Sequence, residues 1–349
     1  MGYWHAEPVR TRVLLAATAV LFALTPSGAR ADDVPPPPKP LPTPTEAKPR
    51  STAPWVAYSA LPYSEAAGAG RGFLGAADVR LVRTDGVDDR AVTTGPATEF
   101  EPTFSPDGTW IAFSSDRADV RAGRTDIWVV RRDGTGLRRL TTDLNARRPA
   151  WSPDGARIAA GTDSGIVTFT ATGKKAADFV AVTTNDATHV DFAPTWTPDG
   201  KRLLFTRTTL ANGAATGQSI WTAPAAGGKA RALLGDSAPS GYLSQPDVSP
   251  DGKYVTFLQA DASGTAIWLV DMEGSLIGRL ARSATGLLNT PAFSPDGRWI
   301  LFTHSGRDGS SPSSMRLVSV DGTKTRIVTR ITRGNYYAPA WDPSATTKP

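Results

Sequence analysis

The sequence predicts an all-β fold, a six-bladed β-propeller of four-stranded antiparallel blades whose ring is closed by the C-terminal strand joining the first blade. Three observations predict it. A turn word flanked by apolar runs recurs, it recurs at nearly constant spacing, and two further strand words follow each full copy.

The turn word first appears in EPTFSPDGTWIAFSSD, residues 101 to 116. It returns as RPAWSPDGARIAAGT from Arg148, APTWTPDGKRLLFTR from Ala193, QPDVSPDGKYVTFLQ from Gln245 and TPAFSPDGRWILFTH from Thr290, with a truncated copy, APAWDPS, from Ala338. Proline at the second turn position presets φ near −65°, aspartate tolerates the third, and glycine supplies the positive φ that follows. This suits a three-residue hairpin loop, a type I turn completed by a glycine bulge. On either side apolar residues occupy both alternations, as in Trp110 and Ala112 against Ile111 and Phe113, the mark of strands buried on two faces. The proline that opens each copy (Pro102, Pro149, Pro194, Pro246, Pro291, Pro339) fits the first residue of a strand.

Successive prolines stand 47, 45, 52, 45 and 48 residues apart, a period that means an array or a propeller. A third strand word lies between copies: DVRLV from Asp78, DIWVV from Asp126, GIVTF from Gly165, SIWTA from Ser219, AIWLV from Ala266 and MRLVS from Met315. A turn containing glycine follows each, then a shorter fourth strand such as RAVTT from Arg90 or TRIVTR from Thr325. Four antiparallel strands make a propeller blade. Trp55-Val-Ala-Tyr-Ser matches Trp110-Ile-Ala-Phe-Ser, so the chain enters at a second strand, and it leaves on a lone first strand, Ala338 to Trp341. Joining the two completes six blades and removes the exposed edges that an open array would carry.

Around the repeat, residues 1–31 read as a secretory signal, with Arg10 and Arg12 before an apolar run from Val13 to Leu24 and an Ala29-Arg30-Ala31 cleavage site. The apolar run is short for a membrane span, so no stable span is expected after cleavage, with a retained signal anchor as the alternative. Residues 32–51 are Pro-rich, a semi-rigid polyproline II spacer or a docking peptide. The propeller is expected over 52–343 and a short tail over 344–349. The net charge is +5, and removing the leader with Arg10, Arg12, Arg30 and Glu7 leaves about +3. That balance, without a basic stripe, argues against nucleic acid as a partner. Cysteine is absent, which excludes disulfides, thiolate metal sites and a cysteine nucleophile.

The word P-x-[FW]-S-P-D-G resembles the signature of the TolB-like propeller repeat family, over about residues 52 to 343. The resemblance implies an exported, non-enzymatic propeller whose channel side receives a protein partner of the cell envelope or the extracellular space, as in a Tol-Pal-type role. Propellers of the oligogalacturonate lyase type resemble the repeat as well, but their metal site needs a histidine cluster. Only His189 and His304 follow the leader here.

Residues that belong to the repeat itself are read as scaffold. The nine tryptophans after the leader fall in three columns: Trp151, Trp196 and Trp341; Trp55, Trp110 and Trp299; Trp128, Trp221 and Trp268. They are assigned to blade packing rather than to carbohydrate stacking. The turn aspartates Asp107, Asp154, Asp199, Asp251 and Asp296 are assigned to turn formation rather than to a metal. No serine-hydrolase elbow, zinc-protease motif, Walker A or EF-hand loop is present, so no catalytic residue, metal site or cofactor is expected.

The segments that differ from blade to blade are those entering each first strand, which open beside the channel. They carry Glu99 and Glu101, Arg147 and Arg148, His189 and Asp191, Tyr242 and Gln245, Asn289, and Asn335, Tyr336 and Tyr337. Arg117 and His304, after two of the second strands, are expected on the same face. Variation on an otherwise repeated scaffold is what a binding surface looks like, and tyrosine and arginine are favoured interface anchors. Solvated loops are the plainer reading. The expected function is a monomeric, exported protein-binding propeller. A glycan or small-ligand binder, a lyase or hydrolase acting on an extracellular polymer, and a structural wall protein are the alternatives.

Overall fold

The computed structural model describes residues 51–61, 76–172, 178–236, 238–306, 313–330 and 335–344. The segment read as a secretory leader, the Pro-rich segment before residue 51 and the tail beyond Ser344 lie outside the described residues. Every regular element described is a strand. β1 (Trp55–Leu61), β2 (Asp78–Arg83) and β3 (Arg90–Ala91) begin blade 1. Blade 2 is β4 (Glu99–Phe104), β5 (Trp110–Ser115), β6 (Asp126–Arg131) and β7 (Arg138–Arg139). Blade 3 is β8 (Arg147–Trp151), β9 (Arg157–Thr162), β10 (Gly165–Thr170) and β11 (Val180–Ala181). Blade 4 is β12 (His189–Trp196), β13 (Arg202–Ala211), β14 (Ala214–Pro224) and β15 (Arg231–Ala232). Blade 5 is β16 (Tyr242–Val248), β17 (Tyr254–Asp261), β18 (Gly264–Asp271) and β19 (Leu276–Ser283). Blade 6 is β20 (Gly286–Phe293), β21 (Trp299–Gly306), β22 (Ser314–Ser319) and β23 (Thr325–Arg330).

The last strand, β24 (Asn335–Trp341), pairs antiparallel with β1 and completes blade 1, so the sheet order is β24-β1-β2-β3. The ring is therefore six antiparallel four-stranded sheets, the expected architecture.

The hairpins form for the reasons the turn word supplies. Gly108, Gly155, Gly200, Gly252 and Gly297 all sit at φ 69°. The N–H of Gly155 donates to Ser152 O at 2.9 Å, closing the turn. Ser152 Oγ donates to Asp154 Oδ1 at 2.6 Å, and the same oxygen accepts Ala156 N–H at 3.0 Å. The turn aspartates are thus local staples, and the hydroxyl bond from Ser152 holds the Asp154 carboxyl below its usual range. Turns of successive blades also touch. A Cβ on Gly155 would lie 3.6 Å from Pro106 of the preceding turn, and one on Gly297 3.7 Å from Pro250.

The core is divided among the blade seams. Ala57, Val79 and Leu81 of blade 1 pack with Phe104, Ile111 and Phe113 of blade 2. Five equivalent clusters follow around the ring, the last joining Val56 and Tyr58 of blade 1 to Leu301 and Leu317 of blade 6. Phe113, Phe205 and Phe257 fill the same position in three blades and are fully buried. Truncating one to alanine would cost about 3–5 kcal/mol. The tryptophan columns pack as expected. Trp151 Nε1 donates to Thr103 O at 3.3 Å, Trp196 Nε1 to Ala150 O at 3.0 Å and Trp341 Nε1 to Ala292 O at 3.2 Å, each reaching into the preceding blade.

The prolines depart from expectation. Each lies inside its inner strand rather than at its start: β4 already pairs with β5 at Glu99 and Phe100, ahead of Pro102, and the register shifts between Phe100 and Thr103. The same shift recurs in blades 3 to 6 and in β24. A proline lacks an N–H to pair, so it is accommodated at a bulge on the innermost strand, where its nitrogen needs no partner.

Candidate functional site

At each bulge the residue before proline takes a left-handed conformation. Glu101, Arg148, Ala193, Gln245, Thr290 and Ala338 have φ of 57°, 54°, 53°, 57°, 49° and 49°. Six non-glycine residues in this region are costly, roughly 1–3 kcal/mol each, and persist only where their surroundings over-determine them. At three of the six those surroundings are hydrogen bonds passed from blade to blade. Arg148 N–H donates to Glu101 Oε2 and to Ser114 Oγ, both at 3.0 Å. Gln245 N–H donates to Thr206 Oγ1 at 2.9 Å. In the next blade Leu258 stands where Ser114 and Thr206 stood, and the side chain of Gln245 takes over, its Oε1 accepting Thr290 N–H at 2.7 Å.

The ring of bulges surrounds the central channel. Its cavity of about 170 Å³ is lined by these six residues, by the six prolines after them, and by Thr103, Ala150, Thr195, Asp247 and Ala292. Two charges in it cancel: Arg148 Nε lies 2.8 Å from Glu101 Oε1. The third does not. Asp247 occupies a column that holds alanine or threonine in the other blades. It is half-buried in the channel wall, and that burial pushes its carboxyl up to about 6. Its Oδ1 accepts Thr195 Oγ1–H at 3.3 Å from blade 4, and its Oδ2 accepts Phe293 N–H at 2.8 Å from blade 6.

The residues expected on the channel-side face divide into groups. Glu101, Arg148 and Gln245 line the channel. Glu99 and Asp191, at 0% and 1% exposure, are buried within blades instead. Arg117 Nε donates to Glu99 at 3.1 Å, so Arg117 is that acid's counter-ion. Burial pushes the Glu99 carboxyl up, against the hydrogen bonds from Thr93 and Arg117. Arg207 grips Asp191 through two bonds of 2.7 Å and stacks on Trp221 at 4.2 Å.

Arg147 donates to Thr125 Oγ1 at 3.2 Å and to Asn145 Oδ1 at 3.3 Å. His189 lies 3.1 Å from Asp186 at the start of β12. Tyr242 and Asn289 are half-buried on their inner strands. His304, at the end of β21, lies 3.3 Å from Ser283 Oγ, and burial beside Arg316 lowers its basicity. Asn335, Tyr336 and Tyr337 pair through their backbones with Leu61, Ala60 and Ser59, while their side chains lie outside the described residues.

Inner strands begin, and second strands end, on one face, as the pairing of Glu99 with Ser115 shows. The SPDG turns occupy the opposite face. Asp247, Thr290 and the hydroxyls of Ser114 and Thr206 were not singled out by sequence reasoning, although each keeps a fixed offset from a repeat proline or turn. Among the described residues no group of three or more His, Asp or Glu could hold a metal ion, and no helix is long and apolar enough to cross a membrane.

The family model of the TolB beta propeller domain matches residues 73–209 and 148–345. The Tol-Pal system protein TolB of Zymomonas mobilis is 35% identical over 75 residues, 22% of this chain and 16% of that protein. The crystal structure of TolB from Acinetobacter baumannii superposes with a TM-score of 0.64 at 19% identity, covering 84% of this chain and 68% of that one. A structure assigned as TolB from Agrobacterium tumefaciens superposes with a TM-score of 0.58 at 20% identity, covering 81% and 91%. The repeated SPDG hairpins, the closed six-bladed ring and a family match spanning most of the chain agree: the protein belongs to the TolB beta propeller domain family.

Proposed function

We propose that this chain is a non-enzymatic, extracytoplasmic adaptor that binds a protein of the cell envelope or the extracellular space through its channel-side face, in a Tol-Pal-type role. The observation that carries this reading is the ring of left-handed residues. A scaffold repeated in its turns, tryptophans and core presents five residue types at six equivalent, conformationally costly positions around an open channel. Strained residues held by their neighbours cluster where ligands are clamped. Three of the acids at this face are engaged with arginines: Glu99 with Arg117, Glu101 with Arg148, Asp191 with Arg207. The apolar leader read at the N-terminus supports the compartment, and the relative named as a Tol-Pal system protein supports the role.

Crosslinking capture from native envelope tests it. The parent chain is run beside a variant carrying Arg147→Ala, Tyr242→Ala, Tyr336→Ala and Tyr337→Ala, with folding checked first. These four lie on inner strands at the channel-side face and leave the Glu101–Arg148 pair intact. A protein captured by the parent and lost from the variant is the expected result. Equal capture by both, or capture by neither, overturns the reading.

A further inference from the structure

We propose that the channel is a binding site for an alkylammonium group, the side chain of a lysine presented by the partner protein, with Asp247 as its counter-ion. The inference rests on the reading that the channel-side face receives a protein.

The charge balance of the channel points there. Glu101 and Arg148 neutralise each other at 2.8 Å, so Asp247 leaves the lining with one uncompensated negative charge. No ion pair to Asp247 occurs among the described residues, and burial rather than a neighbouring charge dominates its environment. Six prolines and the alanines and threonines beside them make the rest of the wall largely apolar, so a charge here acts through a poorer dielectric than water. A site of this kind favours a cation that brings an apolar stem with it.

The hydrogen bonds narrow the kind of cation. A carboxylate offers about four lone-pair sites. Two are taken by Thr195 Oγ1–H and Phe293 N–H, and Val248 N–H also lies against the carboxylate. A guanidinium is best served by two free, coplanar oxygen sites. An ammonium is a compact charge on a four-carbon stem and needs only one site from each of its neighbours. Glu101 and Gln245 add side-chain oxygens to the lining. A metal ion fits less well, because the described residues assemble no group of three acidic or histidine ligands.

Asp247 departs from a small-residue column without serving the turn or the bulge of its own blade. Its bonds tie blade 5 to blades 4 and 6, but the other blades hold alanine or threonine at this position and do without them.

The test is saturation-transfer NMR on the whole chain at pH 7.5 and constant ionic strength, with n-butylammonium as probe, n-butanol as its neutral match and calcium chloride as the competing cation. The parent is expected to bind butylammonium saturably, and Asp247→Asn at least 10-fold more weakly, with no saturable binding of butanol by either. Equal binding by parent and variant, no binding by either, or displacement of butylammonium by sub-millimolar calcium overturns the site. The source of the ammonium is read separately. Once a captured partner is known, replacing the lysines of its contact segment by glutamine should abolish capture. If capture survives that replacement while butylammonium still binds, the site stands as one for a free amine and the partner's lysine is overturned. If capture depends on the face but butylammonium never binds, the adaptor reading stands and this inference falls.

Discussion

Asp247 reaches out of blade 5 and accepts the backbone N–H of Phe293, in blade 6, at 2.8 Å. It ties two blades together and places a carboxylate where burial raises its pKa from 3.8 to about 6. A folded-state value above the unfolded one means that the group favours folding fully only below pH 3.8, and that this contribution is lost as pH rises through about 6. Asp247→Asn keeps the shape and an oxygen for Phe293 and removes the titration. The variant should therefore be more stable than the parent at pH 7.5, by about 1–2 kcal/mol once channel water is allowed for, and no more stable at pH 4. Urea denaturation of both proteins at the two pH values measures it. An equal difference at both would sink the account.

The turn aspartates behave in the opposite sense. Ser319 Oγ and the N–H of Thr323 donate to Asp321 and hold its carboxyl down to about 2. Asp107, Asp154, Asp199 and Asp251 are lowered for the same reason, a hydroxyl bond from the Ser or Thr two residues before. Their contribution is present above about pH 4 and is lost as pH falls toward 2. Asp321→Asn should flatten part of the acid limb of the stability curve without altering its shape above pH 5. Thermal melts of parent and variant at half-unit steps from pH 2.5 to 6 would show this.

Arg207 and Asp191 form a buried pair with two bonds of 2.7 Å, Asp191 being 1% exposed. Removing only the cation strands a charge, which costs about 3–5 kcal/mol. Arg207→Met should therefore unfold at much lower urea, and adding Asp191→Leu should restore most of the loss. A double variant no better than the single one would mean that the stacking of Arg207 on Trp221 carries the stability instead.

This pair marks where the sequence was legible and where it was not. The hairpin words carried their own geometry, since Pro-Asp-Gly at each turn needs nothing distant to be read. Counting strands against the offset start at Trp55 was enough to close the ring. The inner strands were harder. Glu99 and Glu101 are two residues apart, and in a regular strand they would share a face. The left-handed bulge at Glu101 breaks that alternation, sending Glu99 into the blade and Glu101 to the channel. No residue type announces such a bulge, because glutamate, arginine, alanine, glutamine and threonine all adopt it here. It became visible only as a column beside the prolines. Asp247 breaks a column of alanine and threonine in the sequence, but only the fold shows that this column faces the channel. The outer strands also vary in a way that their sequences do not declare. They are two residues long in blades 1 to 4, but eight in β19 and six in β23.

Closure of the ring depends on β24, and that dependence yields the sharpest test of the architecture. Trp341, 6% exposed, packs with Val56, Tyr58 and Leu317 across the seam between blades 6 and 1. Its indole bonds Ala292 O at 3.2 Å. One residue on, Asp342 donates its N–H to Trp55 O at 3.0 Å, and its carboxylate pairs with Arg132 of blade 2 at 2.9 Å. Gly108 sits so close beneath that an added Cβ would lie 2.6 Å from Asp342 Oδ1. One short strand thus joins three blades, and without it β1 would become an open, apolar inner edge. A chain ending at Gly334 should not fold to a monomeric ring. A synthetic peptide of residues 335–349 added in trans should restore the native melting transition, and the same peptide with Trp341→Ala should restore it at least 10-fold less efficiently. Folding of the truncated chain without peptide, at the stability of the parent, would show that the ring closes without β24.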